Sequence, residues 1–130
     1  MQHHEFLARV RELGEYDSQD EAEKVTEAVL GVLAQRISPG EVEDLASQLP
    51  APLGQTLAEA KPEQAESFGI EDFYRRVADR TGARPRTAEW DAGAVLTTLA
   101  GAISGGELNQ ILSQLPSGFA VLFGKADLAS

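Results

Sequence analysis

Cysteine is absent from the chain, and histidine occurs only at His3 and His4. Without thiols there is no disulfide framework, no cysteine nucleophile and no cysteine-ligated zinc. Both histidines sit at the very start, which argues against a serine–histidine–acid set. Neighbouring positions on a helix point about 100° apart, so the two imidazoles do not make the same-face pair that a metal wants. Long apolar runs are missing too. The opening MQHHEFLARVRELGEY is broken by charge every few residues, unlike a secretory leader, and no passage approaches the length of a membrane span. A soluble, cytoplasmic protein with no cleaved leader is therefore expected. Strand signals are equally scarce, because no segment alternates with period two and β-branched enrichment. Basic residues are few, 11 against 21 acidic ones, for a net charge of -10. That balance repels phosphate backbones and anionic lipid, so neither nucleic acid nor membrane is expected as a partner.

What the chain does have is a phrase written twice. ISPGEVEDLASQLP, Ile37 to Pro50, returns as ISGGELNQILSQLP, Ile103 to Pro116. At a shift of 66 to 67 residues Phe6 falls on Phe73, Arg9 on Arg76 and Val10 on Val77. Further on, Ala28-Val29-Leu30 falls on Ala94-Val95-Leu96, Glu41 on Glu107, and Gln48-Leu49-Pro50 on Gln114-Leu115-Pro116. Leu53 and Leu57 meet Phe119 and Phe123. Apolar positions agree better than charged ones, as for a shared fold rather than a shared ligand. Residues 1–67 hold 14 acids and 5 bases, whereas residues 68–130 hold 7 and 6, so the copies present different surfaces.

Each copy divides into the same pieces. Phe6, Leu7, Val10 and Leu13, and then Phe73, Tyr74 and Val77, have the one-face spacing of an amphipathic helix. Gly14 and Gly82 stand where left-handed C-caps belong. A second helix starts at Ser18, where Ser-Gln-Asp-Glu forms a capping box; its twin starts near Pro85 to Thr87. Ser38 caps a third helix with Pro39 at its first position and Glu41 closing a second capping box; Ser104 and Glu107 repeat the device. Pro50 and Pro116 stop that helix, and a short fourth one follows. The polar stretch AEAKPEQAESFG reads as a connector. The expected class is all-α: two tandem copies of a three- to four-helix unit, packed as one pseudo-two-fold helical bundle. The boundaries are 3–58 for copy one, 59–69 for the linker and 70–124 for copy two, all within a single domain, 1–130. With 42% hydrophobic residues at this length, a core needs no metal or disulfide.

The F-x-x-R-V opening at Phe6, Arg9 and Val10, the Ala28-Val29-Leu30 helix and the Ile37–Pro50 segment resemble one bacterial family, the domain of unknown function 2267. Phe73, Arg76, Val77 and Gly106-Glu107 through Gln114-Leu115-Pro116 continue the pattern, so the resemblance runs from about Glu5 to Phe123. Asn109 stands where the first copy has Asp44, and Gly105 where it has Pro39. The resemblance implies a small, soluble helical protein; the family supplies no agreed catalytic residues, so none is carried over.

Candidate chemistry is thin. Glu41 and Glu107 form an equivalent pair of carboxylates suited to acid–base work, but capping accounts for them more simply. Gln48 and Gln114 are expected to satisfy carbonyls at their own helix ends. Arg9 and Arg76 each adjoin a core valine, so their stems should pack on apolar surface and their heads meet an acid. Gly105-Gly106 lacks the strand, spacing and lysine of a phosphate loop. Trp90 replaces Lys24 of the first copy, and Arg75, Arg76, Arg80, Arg84 and Arg86 gather in the second. Tryptophan and arginine are the residues that interfaces favour. The expected function is a non-enzymatic protein-interaction or scaffold module that meets a protein partner or itself around Trp90 and these arginines. The alternative is a small-ligand-binding protein or enzyme using a cleft between the two repeats. No catalytic residue, cofactor or metal is expected.

Overall fold

Serine begins three helices in the computed structural model, which describes residues 1–125. The elements are α1 (His3–Gly14), α2 (Gln19–Arg36), α3 (Pro39–Ser47), α4 (Ala51–Ala60), α5 (Ile70–Thr81), α6 (Pro85–Ala102), α7 (Gly105–Ser113) and a 3-10 helix, η1 (Ser117–Phe123). There is no strand among the described residues, as the missing period-two pattern requires. The hydroxyls of Ser18, Ser38 and Ser104 accept from the amides of Glu21, Glu41 and Glu107, satisfying first-turn donors that no helix can satisfy itself. Among the described residues no helix is long and apolar enough to cross a membrane.

One expected cap is reassigned. The left-handed residue after α1 is Glu15, with φ 55°, and Gly14 is the last helical residue. A Cβ at position 14 would lie 2.1 Å from the Tyr16 ring, so glycine is there to admit that ring. Gly82 does take the left-handed conformation after α5, with φ 77°.

The 18-residue helices α2 and α6 form the centre and are buried over most of their length. Helix α2 packs on α1, α4, α5 and α6; helix α6 packs on α5, α1, η1 and α2. Thus α1 and α5 each lie against both long helices. Phe6 of α1 and Phe73 of α5 are both fully buried in one continuous core, and Phe73 meets Phe119 edge to face with centroids 5.4 Å apart. The fourth elements differ. Leu53 and Leu57 are buried at α-helical spacing in α4, whereas Phe119/Leu122 and Ala120/Phe123 are buried at the three-residue spacing of η1.

The connector between α4 and α5 is tied down. The Glu66 amide donates to the Gln35 carbonyl, and Arg36 Nε donates to the Phe68 carbonyl at 2.8 Å. The Arg76 guanidinium sits 3.8 Å from the Phe68 ring centre and pairs with Glu66 and Asp72. Arg9 pairs with Glu12. Both arginines therefore meet acids, as their position beside core valines suggested.

Candidate functional site

Helix α6 presents Arg86, Glu89, Trp90, Gly93, Ala94 and Thr97 along one face, at spacings of three and four. Leu13 of α1 and Val121 and Leu122 of η1 form the facing wall of a groove of about 480 Å³. Thr97 Oγ1 donates to the Leu122 carbonyl and fixes that wall to α6. Trp90 is 53% exposed and Val121 62%, yet Trp90 is not loose: its indole Nε1 donates to the Gly14 carbonyl at 3.0 Å. The ring is held by its polar edge while apolar surface stays in solvent.

The arginines are distributed rather than gathered around Trp90. Arg86 lines the groove. Arg75 pairs with Asp72, and Arg76 is held by Glu66, Asp72 and Phe68. Arg80 lays its guanidinium on Gly31 of α2, where an added Cβ would fall 2.0 Å from Nη1. Arg84 is the exposed residue preceding α6 and makes no side-chain cap bond.

A second hollow of about 370 Å³ lies on the other side of Trp90, between the α1–α2 turn and the α5–α6 turn. Its polar groups include Tyr16, Glu21, Lys24, Thr87 and Asp91. The Tyr16 hydroxyl donates to Asp91 Oδ1 at 2.5 Å. Burial, then the Asp91 carboxylate, holds the phenol well above its ordinary range. Burial also raises Asp91, partly offset by the bond from Tyr16. The pair offers hydrogen bonds at neutral pH and no ready nucleophile.

The third arrangement is where α3 meets α7. Glu41, Asp44 and Glu107 bring carboxylate oxygens within 4.8 Å of one another. Glu41 and Glu107 are 6% and 7% exposed, and among the described residues no donor from outside the pair reaches one buried oxygen of each. The anticipated capping boxes are only half made. The Ser38 amide donates to Gln114 Oε1 at 2.7 Å, and the Ser104 amide donates to Gln48 Oε1 at 2.9 Å. Each glutamine thus reaches the other helix start instead of its own helix end, correcting the expected role. The amides that Glu41 and Glu107 would have capped are already taken. Burial, a hydrogen bond with Glu41, and the charges of Glu41 and Asp44 push Glu107 up to about 7. His3 stands 3.5 Å from Glu23, apart from this cluster, and His4 is exposed.

The sequence singles out Trp90, Arg86, Glu41 and Glu107; it marks Leu13 only as part of an apolar helix face and Asp44 only as a position of the repeat, and gives no sign of Val121 or Tyr16. Asp91 left a readable trace: it falls on Val25 of the first copy, an aspartate at a core position.

Together these features define a class: an all-helical bundle whose polar and apolar hollows adjoin a single exposed tryptophan. Residues 3–122 match the family described as "Uncharacterized conserved protein (DUF2267)", and the chain belongs to that family. No curated protein matches it.

Proposed function

We propose that the protein is a non-enzymatic interaction module, and that the groove beside Trp90 receives an amphipathic helix from a partner protein. The observation that carries this reading is the placement of exposed apolar side chains. The large exposed hydrophobics among the described residues are Met1, Trp90 and Val121, and the last two flank the same groove. From Arg86 to Thr97 the groove follows α6 for about 16 Å at 1.5 Å per residue, room for about three turns of a docked helix. A tryptophan anchored through its indole nitrogen loses little freedom on binding, which favours it as a central contact. Net charge of -10 opposes pairing with a second copy. The absence of cysteine accords with a cytoplasmic setting.

The module is built, in this reading, from one domain containing two copies, residues 3–58 and 70–124, joined by 59–69 and related by an approximate two-fold axis. Supporting this are the matched lengths of α1 and α5, α2 and α6, and α3 and α7, and the exchange of glutamine bonds between copies.

Peptides selected against the wild-type protein should carry apolar residues at helical spacing. Their binding should shift the emission of Trp90, the sole tryptophan. Val121→Lys changes an exposed side chain, so it should leave the fold intact and weaken binding at least tenfold; Trp90→Ala should do the same. Selected peptides without helical spacing, or indifferent to Val121→Lys, would refute the groove. Concentration-dependent dimerisation in sedimentation, lost in Val121→Lys, would replace the partner helix by a second copy.

A small ligand is the second reading, favoured by the Tyr16–Asp91 bond inside the polar hollow between the copies. A metabolite thermal-shift screen answers it, because a ligand at a hundred times its dissociation constant stabilises by about 2.7 kcal/mol. A flat screen removes this reading.

A further inference from the structure

We propose that Glu41, Asp44 and Glu107 form a binding site for a hard divalent cation, with calcium the best fit, clamping α3 to α7. The cluster lies apart from the Trp90 groove, and its buried carboxyls have no cationic partner among the described residues. Buried carboxylates are normally paired with a cation or fully hydrogen-bonded. Glu41 and Glu107 are more than nine-tenths buried, and among the described residues no donor from outside the pair reaches the Oε1 of either. No lysine, arginine or histidine pairs with Glu41, Asp44 or Glu107 among the described residues.

Helix-start chemistry adds an independent line. A glutamate three residues after a serine cap ordinarily turns back to the cap amide. Here Gln114 and Gln48 occupy those amides from the opposite helix, leaving both glutamates directed at one point. Two long-range bonds thus free the acids from the local role their spacing would give them.

Ligand chemistry narrows the occupant. An all-carboxylate set without sulfur or imidazole suits a hard ion rather than zinc or copper. Magnesium demands near-ideal octahedral geometry and gives up water reluctantly, whereas calcium accepts irregular sets of carboxylate oxygens and water at about 2.4 Å. Three carboxylates on two helices, with oxygens within 4.8 Å of one another, form such an irregular set. Asp44 is exposed while the glutamates are buried, which gives the ion an entrance and leaves its outer positions to water.

The test is calorimetric titration of the chelator-treated full chain with calcium chloride at pH 8, then with magnesium chloride. The expected result is saturable one-to-one calcium binding, with magnesium at least tenfold weaker. Glu41→Gln and Glu107→Gln should each lower calcium affinity at least tenfold, and Asp44→Asn less. Glutamine keeps the shape and removes a repelling charge, so both variants should melt no lower than the cation-free wild type at pH 8. Folding of the variants is thereby checked in the same series. Absence of saturable calcium binding at pH 8 overturns the site. So does binding that survives the Glu41→Gln/Glu107→Gln double variant, or a cluster that responds to protons alone and is unmoved by calcium.

Discussion

Glu107 makes an unusual contribution to stability, because its folded form holds a proton that the unfolded chain has already lost. Its carboxyl is pushed from the ordinary 4.5 to about 7, first by burial and then by Glu41 and Asp44 across the helix junction. For a raised acid the folded state binds more protons between those two values, so stability falls as pH rises through that window and then levels off. The cation-free protein should therefore lose stability between about pH 4.5 and 7. Asp91 is also raised by burial and adds a slope of the same sign. Denaturant titrations at several pH values read the total, and Glu107→Gln should flatten most of it. An unchanged slope in that variant would mean Glu107 titrates normally. At this scale the sequence was informative about identity and silent about consequence. The equivalence of Glu41 and Glu107 could be read from the repeat, but each had a sufficient local explanation as a cap. Only the approach of α3 to α7 gives them to each other.

Helix starts show where such local reading succeeds and where it stops. Ser18, Ser38 and Ser104 were legible as caps because the hydroxyl and the amide it receives are three residues apart. Gln114 and Gln48 act on serines 76 and 56 residues away, beyond any pattern in a local window. Their recurrence marked them, and their direction was hidden. The two bonds should differ in worth. Ser38 is half-buried, so Gln114→Ala leaves its amide with little access to water and should cost about 1 to 2 kcal/mol. Ser104 is exposed, so water takes over after Gln48→Ala and the cost should stay below about 0.5 kcal/mol. Equal losses in urea denaturation would show that burial does not set the difference. The 3-10 form of η1 also escaped the repeat, since matching Leu53 and Leu57 to Phe119 and Phe123 suggested a second α4. The three-residue burial of Phe119 and Leu122, together with Ala120 and Phe123, follows from the space those rings fill. Spacing in the first copy does not contain that information.

Across the whole chain, the all-helical class and nearly every helix boundary could be read from apolar spacing and caps, whereas the groove needed three separated segments to meet. Leu13 and Val121 lie at opposite ends of the chain and reach one hollow only because α1 and η1 both pack on α6. The same cross-packing bears on how the protein unfolds. Helix α1 covers α6 as well as α2, and α5 covers α2 as well as α6. Phe73 is buried against Phe119, while the connector is held through Arg36 and Arg76 on Phe68. A unit of about 60 residues is already near the lower limit for an independent core. Cutting at the connector would also open α2 along the surfaces that α5 and α6 cover. Residues 1–60 alone should therefore lack a cooperative melting transition, and an excess of residues 61–130 should restore helicity when the fragments are mixed. The intact chain should melt in one step, with calorimetric and van't Hoff enthalpies equal. A first fragment that melts cooperatively by itself, or two resolved transitions in the intact chain, would mean that the copies fold apart, because a shared interior cannot be lost in halves.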